Sequence, residues 1–195
     1  MGLPANRTAS ALALGVIGLM TAQLFWRLGE FPGLHGDEAW VGLFALRLKE
    51  RGLFTPHEMN TYTGALYGWL VEGAFERFGV GVWSLRFVGA VANPLAWLAV
   101  WATVRRAAGP GAGLVWALLA AASGIVVLKS RVAWEVYALQ PLLAALTLAA
   151  AARLAEGGGR RWALLLFASC WLGVQNHFIF LSLPLALPLA ALLLA

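Results

Sequence analysis

Six apolar runs, each near the length that spans a lipid bilayer, constrain this chain more than any other feature. A hydrocarbon core of about 30 Å needs about 20 residues of helix. The runs cover residues 9–26, 81–104, 110–128, 132–152, 162–175 and 178–195, and the fifth is the shortest. Charged residues make up 12% of the chain, against about a quarter in soluble domains. We therefore predict an all-α, polytopic membrane helical bundle with about six transmembrane helices.

The basic loops predict how this bundle is oriented. Lys and Arg concentrate in the short cytoplasmic loops of membrane proteins. The basic residues on one side of the predicted bundle are balanced by acidic ones, whereas the arginines of the N-terminus and of the short connections gather on the other side. These residues are Arg7, Arg105, Arg106, Arg153, Arg160 and Arg161. We expect a multi-pass protein of the cell membrane, plasma or inner, with a cytoplasmic N-terminus. The first run ends at Trp26-Arg27 without a small-residue cleavage site, which favours a retained anchor over a signal peptide.

The net charge of +5 also comes from these cytoplasmic arginines. In a soluble protein such an excess would suggest a nucleic-acid partner. In a membrane protein it attracts the anionic headgroups of lipids to the cytoplasmic loops. Membrane lipids, and no nucleic acid, are therefore the expected partners of these arginines.

The long outer connection, residues 27–80, is unusual because structureless loops of this length are rare in compact proteins. Two stretches within it, 38–51 and 64–78, place apolar residues at helical spacing beside charged ones. The charges argue against full insertion, since each costs about 2.5–3.5 kcal/mol at the bilayer centre. We predict two interfacial helices. Residues 1–195 then form a single transmembrane domain that carries the segment 27–80 on its outer face.

Two adjacent carboxylates, Asp37 and Glu38, follow the first run after a Pro32-Gly33 turn. Asp37 fits two roles: it is placed to N-cap the first interfacial helix, or to take the proton of an acceptor hydroxyl as a general base. Glu38 faces a different direction and would orient Asp37 or hold a cation. The pair alone does not decide between a structural and a catalytic role.

The surroundings of this pair resemble the N-terminal half of GT-C superfamily glycosyltransferases. The pattern is an outer Asp-Glu after the first membrane helix, two interfacial helices and a Tyr-rich entry to the second of them, Thr61-Tyr62-Thr63-Gly64-Ala65-Leu66-Tyr67-Gly68-Trp69-Leu70. Shorter matches are Ser84-Leu85-Arg86-Phe87, Ser130-Arg131-Val132-Ala133 and His177. By this pattern the chain is similar to polyprenyl-phosphate-sugar-dependent enzymes, the protein O-mannosyltransferases and lipid A aminoarabinose transferases.

The resemblance implies an inverting transferase that moves a hexosyl or pentosyl group from a polyprenyl-phosphate donor to a lipid, glycan or protein acceptor outside the membrane. Asp37 is similar to the family's catalytic carboxylate, with Glu38 beside it. The substrate-binding candidates are Arg131, Lys129, Arg86, Tyr62, Tyr67 and His177. The cations would stabilise charge on the leaving phosphate, and the tyrosines would contact sugar or acceptor. Snorkelling of the cations and the aromatic belt explain the same residues without a function.

Two of these cations also have candidate protein partners. Arg86 is expected to pair with Glu72, Glu76 or the donor phosphate. Glu135 lies four residues after Arg131, a spacing that favours a local ion pair.

Some relatives use a divalent metal, and three outer residues are candidate ligands: His35, Glu58 and His177. Where the lipid A enzymes have a Glu-Lys-Pro motif, this chain has Tyr62-Thr63-Gly64, so the expected metal carboxylate is missing. We expect metal-free chemistry, and a divalent metal stays the open alternative.

GT-C relatives have nine or more membrane helices, so this chain is expected to be the N-terminal module of a longer protein. A second class of function stays open. In it, the chain is a non-catalytic lipid-binding or scaffold membrane protein derived from such an enzyme, and Asp37 is only a helix cap. A transporter is disfavoured because almost all charges lie at the ends of the apolar runs, away from the bilayer midplane.

Overall fold

The computed structural model describes residues 3–52 and 54–194, and within them it is helical without a strand. The helices in chain order are α1 (Leu3–Phe25), α2 (Gly36–Arg51), α3 (Leu66–Phe78), α4 (Val82–Ala122), α5 (Gly124–Lys129), α6 (Glu135–Ala138), α7 (Gln140–Ala155), α8 (Arg160–Asn176), a 3₁₀ turn (Phe178–Leu181) and α9 (Ser182–Leu194). The all-α prediction and both helices of the segment 27–80 are confirmed.

Helix α4 folds back on itself at Gly109, whose backbone has φ 89° and ψ 169°. This left-handed conformation favours glycine, and Pro110 then begins the second arm, as proline does at a helix start. The arms pack closely, since a Cβ on Gly113 would lie 3.1 Å from the Cβ of Arg105. The predicted runs 81–104 and 110–128 are these two arms. The second arm ends earlier than predicted, because the backbone turns out of the helix at Ser123 before α5 begins.

The predicted helix 132–152 is wrong in its first third. Residues 130–134 form an irregular connection, α6 is a single turn, and the continuous helix α7 starts at Gln140. Pro141 in the first turn of α7 explains the boundary, because proline lacks an amide hydrogen and is favoured at a helix start. The last run also begins differently, with a 3₁₀ turn, and its final residue Ala195 lies outside the described residues.

Two described helices are long and apolar enough to cross a membrane, α4 and the segment Asn6–Phe25 of α1. Such helices fit a membrane protein. The helices α7 and α8 are shorter, at 16 and 17 residues. The number of six transmembrane helices therefore stays a prediction.

Two apolar clusters hold the helices together. One joins α1 to both arms of α4 and to α5, and its largest side chains are Trp97 and Trp101. The other joins α2, α3, the start of α4, α6 and α7, with Phe180 of the 3₁₀ turn. Since α4 contributes to both clusters, it fixes α1 relative to the two shorter helices α2 and α3.

The arginines predicted to share one side do meet at one end of the bundle. The guanidinium of Arg106 lies 2.6 Å from the carboxylate of Glu156, and that of Arg153 lies 3.3 Å from it. Arg7 and Arg105 line one cavity between α1 and α4. We call this the basic end. The opposite end holds the C-terminus of α1, the N-termini of α2 and α4, and the connection 130–134, and we call it the carboxylate end.

Candidate active site

A buried ion pair organises the carboxylate end. The Nε and Nη2 atoms of Arg86 each donate to a carboxylate oxygen of Glu38 at 2.8 Å, and both side chains are fully buried. The same guanidinium donates to the carbonyls of Leu28 at 3.0 Å, Pro32 at 2.9 Å and Gly33 at 3.3 Å. Arg86 therefore ties α2 and α4 to the loop after α1, and its carboxylate partner is neither Glu72 nor Glu76.

Glu38 has further partners on both oxygens. The amide of Ala133 donates to one at 2.7 Å and the amide of His35 to the other at 3.0 Å. Burial alone would raise the pKa of Glu38, but the hydrogen bonds from Arg86 and from these two amides outweigh it and hold the pKa below its ordinary value. This carboxylate is ionised, enclosed and fully engaged, so its geometry suits positioning rather than proton transfer.

Asp37 has a different environment, although it is the next residue. Its side chain is 25% exposed, and one carboxylate oxygen lies 3.3 Å from Nδ1 of His35. The expectation that Asp37 caps α2 is wrong. The cap is His35, whose Nδ1 accepts from the amide of Asp37 at 3.3 Å while Glu38 accepts from the amide of His35. Asp37 lies in the first turn of α2, where the helix dipole favours negative charge.

Arg131 caps the C-terminus of α1. Its guanidinium donates to the carbonyls of Gln23 at 2.6 Å, Leu24 at 2.9 Å, Trp26 at 2.6 Å and Phe31 at 2.9 Å. The last carbonyls of a helix lack intrahelical partners, and this side chain satisfies two of them in α1, together with two in the loop that follows. Arg131 is only 3% exposed.

The predicted local pair between Arg131 and Glu135 is wrong, because Glu135 faces away into the core of the carboxylate end. Its carboxylate accepts from the hydroxyl of Thr63 at 3.0 Å and from the indole of Trp134 at 3.1 Å. Asn176 donates to the backbone carbonyl of Glu135 at 3.1 Å. Glu135 thus joins the loop before α3 to the end of α8.

Tyr62 and His177 come together at that junction. Their ring centroids lie 5.2 Å apart, and the amide of Phe178 donates to the carbonyl of Tyr62 at 2.8 Å. An isolated antiparallel bridge links Thr63 to His177. Partial burial lowers the pKa of His177, so its imidazole is neutral near pH 7.

Lys129 lies at the beginning of a row of aromatic rings that leads to His35 at the carboxylate end. Its ammonium lies 4.6 Å from the ring centroid of Tyr137, that ring lies 5.0 Å from Trp134, and Trp134 stacks on His35 at 6.5 Å. No described carboxylate pairs with Lys129. Sequence reasoning missed Trp134 and Tyr137, although they directly follow the Ser130–Ala133 motif.

Tyr67 lies deeper than Tyr62. Its side chain is 1% exposed, and burial raises the pKa of its phenol. The hydroxyl lies close to Gly89 of α4, at 3.8 Å from the position of a Cβ there. Tyr67 therefore packs α3 on α4. Of the two candidate tyrosines, Tyr62 is the one on the exposed surface of this end.

The three candidate metal ligands do not form a cluster. Glu58 pairs with Arg47 and Arg51, and Nδ1 of His177 accepts from the amide of Ile179 at 3.1 Å. In the described part of the chain, no group of three or more His, Cys, Asp and Glu side chains has the geometry of a metal site.

Comparison with protein families adds an independent finding. The profile of the dolichyl-phosphate-mannose-protein mannosyltransferase family matches residues 63–195. The chain belongs to this family. Its members are glycosyltransferases of the GT-C type, as the sequence resemblance indicated. Comparisons with curated proteins and with solved structures return no significant match.

The matched region and the Asp37-Glu38 pair are separate in sequence, because the match begins at residue 63. Within the match lie Arg86, Lys129, Arg131, Glu135 and His177. At the carboxylate end, the Asp37-Glu38 pair and these residues of the matched region lie together.

Proposed function

We propose that this family member is an inverting glycosyltransferase in which Asp37 is the general base at the outer surface of the membrane. The donor is a sugar on a polyprenyl phosphate, and the acceptor is a hydroxyl. One observation carries the proposal. Among the described carboxylates of the carboxylate end, Glu38 and Glu135 are buried and hydrogen-bonded and Glu30 pairs with Arg27, whereas Asp37 keeps an open face and pairs with no arginine or lysine.

The chemistry needs one open carboxylate beside the acceptor. The acceptor oxygen attacks the anomeric carbon as its proton passes to Asp37, and the bond from that carbon to the phosphate oxygen breaks. The polyprenyl phosphate leaves with the bonding electrons. Because the acceptor attacks the face opposite the leaving phosphate, the configuration of the anomeric carbon inverts. A positioned base of this kind contributes about 10²–10⁴-fold to the rate.

The cations divide into two groups by their surroundings. Arg86 and Arg131 are buried and donate to protein oxygens, which supports a positioning role for both. Lys129 has no described carboxylate partner and lines a cavity of about 210 Å³ with Tyr137 and Ser130. We assign Lys129 to the charge on the leaving phosphate, where an ammonium acts as a point charge. Tyr62, which is exposed, and His177, which is partly buried beside it, supply an aromatic and polar surface for sugar or acceptor.

The test is Asp37→Asn in the full chain, assayed in membranes with radiolabelled dolichyl phosphate mannose. Transfer is read by chromatography as label that moves from dolichyl phosphate mannose to any product, so that a lipid acceptor is also detected. We expect a loss of about 10²–10⁴-fold, with unchanged insertion and expression. Glu50→Gln is the matched control, because Glu50 is an exposed carboxylate on the same helix.

The two variants separate catalysis from charge. If Glu50→Gln lowers transfer as strongly as Asp37→Asn, the loss reflects charge on α2 rather than a base. Transfer by Asp37→Asn at the wild-type rate would refute the role of Asp37. The non-catalytic lipid-binding function becomes the better explanation only if the wild-type chain itself shows no transfer in this assay.

A further inference from the structure

The basic end holds a cavity that no step of sugar transfer uses. It lies between α1 and the turn of α4, has a volume of about 470 Å³, and is lined by Asn6, Arg7, Ser10, Ala11, Leu14, Arg105 and Pro110. We call it the basic-end cavity. It is far from the carboxylate end, because α1 and the first arm of α4 run the length of the bundle between them.

The charge in this cavity is uncompensated. Arg7 and Arg105 form no salt bridge with any residue in 3–52 or 54–194. The one acidic side chain nearby, Glu156, is already held by Arg106 and Arg153. Both arginines are exposed and line one cavity, so an anion that enters it is attracted by two positive charges.

Arg105 is exposed and stacks on a tryptophan ring. Its guanidinium lies 5.1 Å from the ring centroid of Trp101, and Trp101 is 8% exposed and packed between α1 and the arms of α4. Stacking on the indole restricts the directions of the Arg105 N–H donors. This side of the cavity is therefore partly preorganised for an anion.

The cavity is polar at its rim and apolar below it. Asn6, Arg7 and Ser10 lie at the N-terminal end of α1, and Ala11 and Leu14 continue into the uncharged part of that helix. Leu14 is 44% exposed although it belongs to an apolar run. A ligand that fits both parts has an anionic head and a hydrocarbon tail.

We propose that the basic-end cavity binds one anionic phospholipid, with its phosphodiester between Arg7 and Arg105 and an acyl chain along Ala11 and Leu14. The occupant would fasten α1 to the turn of α4 at the end opposite the chemistry. This proposal does not depend on sugar transfer.

The experiment counts bound lipids on the purified full chain by native mass spectrometry. The probes are dioctanoyl phosphatidylglycerol, dioctanoyl phosphatidylcholine, which has the same tails without net charge, and inorganic phosphate. We expect one phosphatidylglycerol to bind preferentially. Arg7→Gln with Arg105→Gln should weaken its binding by about thirtyfold, from the contribution of two arginines at a lipid surface.

Arg160→Gln with Arg161→Gln is the matched control. It removes the same charge from the same end but leaves the cavity lining intact, and its phosphatidylglycerol binding should stay within about threefold of wild type. An equal loss in both double variants would overturn the proposal, because the attraction would then be a general surface charge. Equal binding of phosphatidylcholine would show that charge does not select the ligand. Displacement of the lipid by millimolar inorganic phosphate would show a free-anion site instead.

Discussion

Removing the charge of Glu38 should destabilise the protein more than any surface substitution. Glu38→Gln keeps the size of the side chain but leaves the guanidinium of Arg86 fully buried beside a neutral group. Breaking one partner of a buried ion pair costs about 3–5 kcal/mol, because the other charge stays uncompensated. For a chain of 195 residues, each kcal/mol corresponds to about 2–4 °C in Tm, so the variant should melt about 6–20 °C lower.

The assay is thermal unfolding of the full chain in detergent, followed by intrinsic fluorescence from its ten tryptophans. Glu50→Gln is again the control, since Glu50 is an exposed carboxylate on the same helix, and its Tm should stay within about 2 °C of wild type. If Glu38→Gln unfolds at the wild-type temperature, the buried pair does not hold α2 to α4 and its assigned role is wrong.

A charge swap tests whether Arg86 is needed only as the partner of Glu38 or also as a donor to the backbone carbonyls around it. Glu38→Arg with Arg86→Glu restores opposite charges, yet a carboxylate at position 86 would face the carbonyls of Leu28, Pro32 and Gly33. Carbonyl oxygens repel a carboxylate and leave it without donors. The swap should therefore fail to recover stability, whereas Glu38→Gln with Arg86→Gln should show a coupling energy of about 0.5–3 kcal/mol. Full recovery by the swap would contradict this account.

Three further predictions follow from the same geometry. Stability should fall as pH falls below 4.5, the ordinary pKa of Glu38, because its folded pKa is lowered and protonation removes the stabilising charge. pH-dependent melting should show a smaller loss in Glu38→Gln than in wild type, since Glu156, whose pKa is lowered by the hydrogen bond from Arg106, titrates in both. Arg131→Lys should lower Tm, since one ammonium cannot satisfy the four carbonyls that the guanidinium reaches, and each carbonyl left bare costs about 1–3 kcal/mol; an unchanged melting curve would contradict it. Gly64→Ala should disrupt the junction of α3 and α8, because its Cβ would lie 1.8 Å from the carbonyl oxygen of Gln175, whereas Gly73→Ala has open space and should be tolerated; limited proteolysis of both variants compares them.

Local sequence signals predicted most of the helices. Charge-free length located α1, and mixed apolar and charged spacing located α2 and α3. The connection 130–134 was missed because Val132 and Ala133 are apolar and continue the run. What holds it out of a helix is tertiary: Arg131 donates to the end of α1, and the amide of Ala133 donates to Glu38.

Sequence reasoning singled out Asp37, Glu38 and Arg86, but it predicted neither their contacts nor the neighbouring rings of Trp134 and Tyr137. Asp37 and Glu38 stood out as a pair, but which of them stays open depends on Arg86, 48 residues further along the chain. The histidine cap on α2 was also unexpected, because His35 takes the place of the usual Ser, Thr, Asp or Asn. Neither the burial of Glu38 nor the His35 cap produces a periodic pattern in the sequence.

Glu38 connects the two parts of the chain that the family match separates. The match begins at residue 63, so Asp37 lies outside it and gains no support from it directly. Glu38, however, binds Arg86 and the amide of Ala133, and both lie inside the matched region. The backbone that carries Asp37 is therefore held by residues of the family region. A base that must stay within reach of an acceptor needs such a rigid support, and this makes the enclosed carboxylate as necessary to the proposed reaction as the open one.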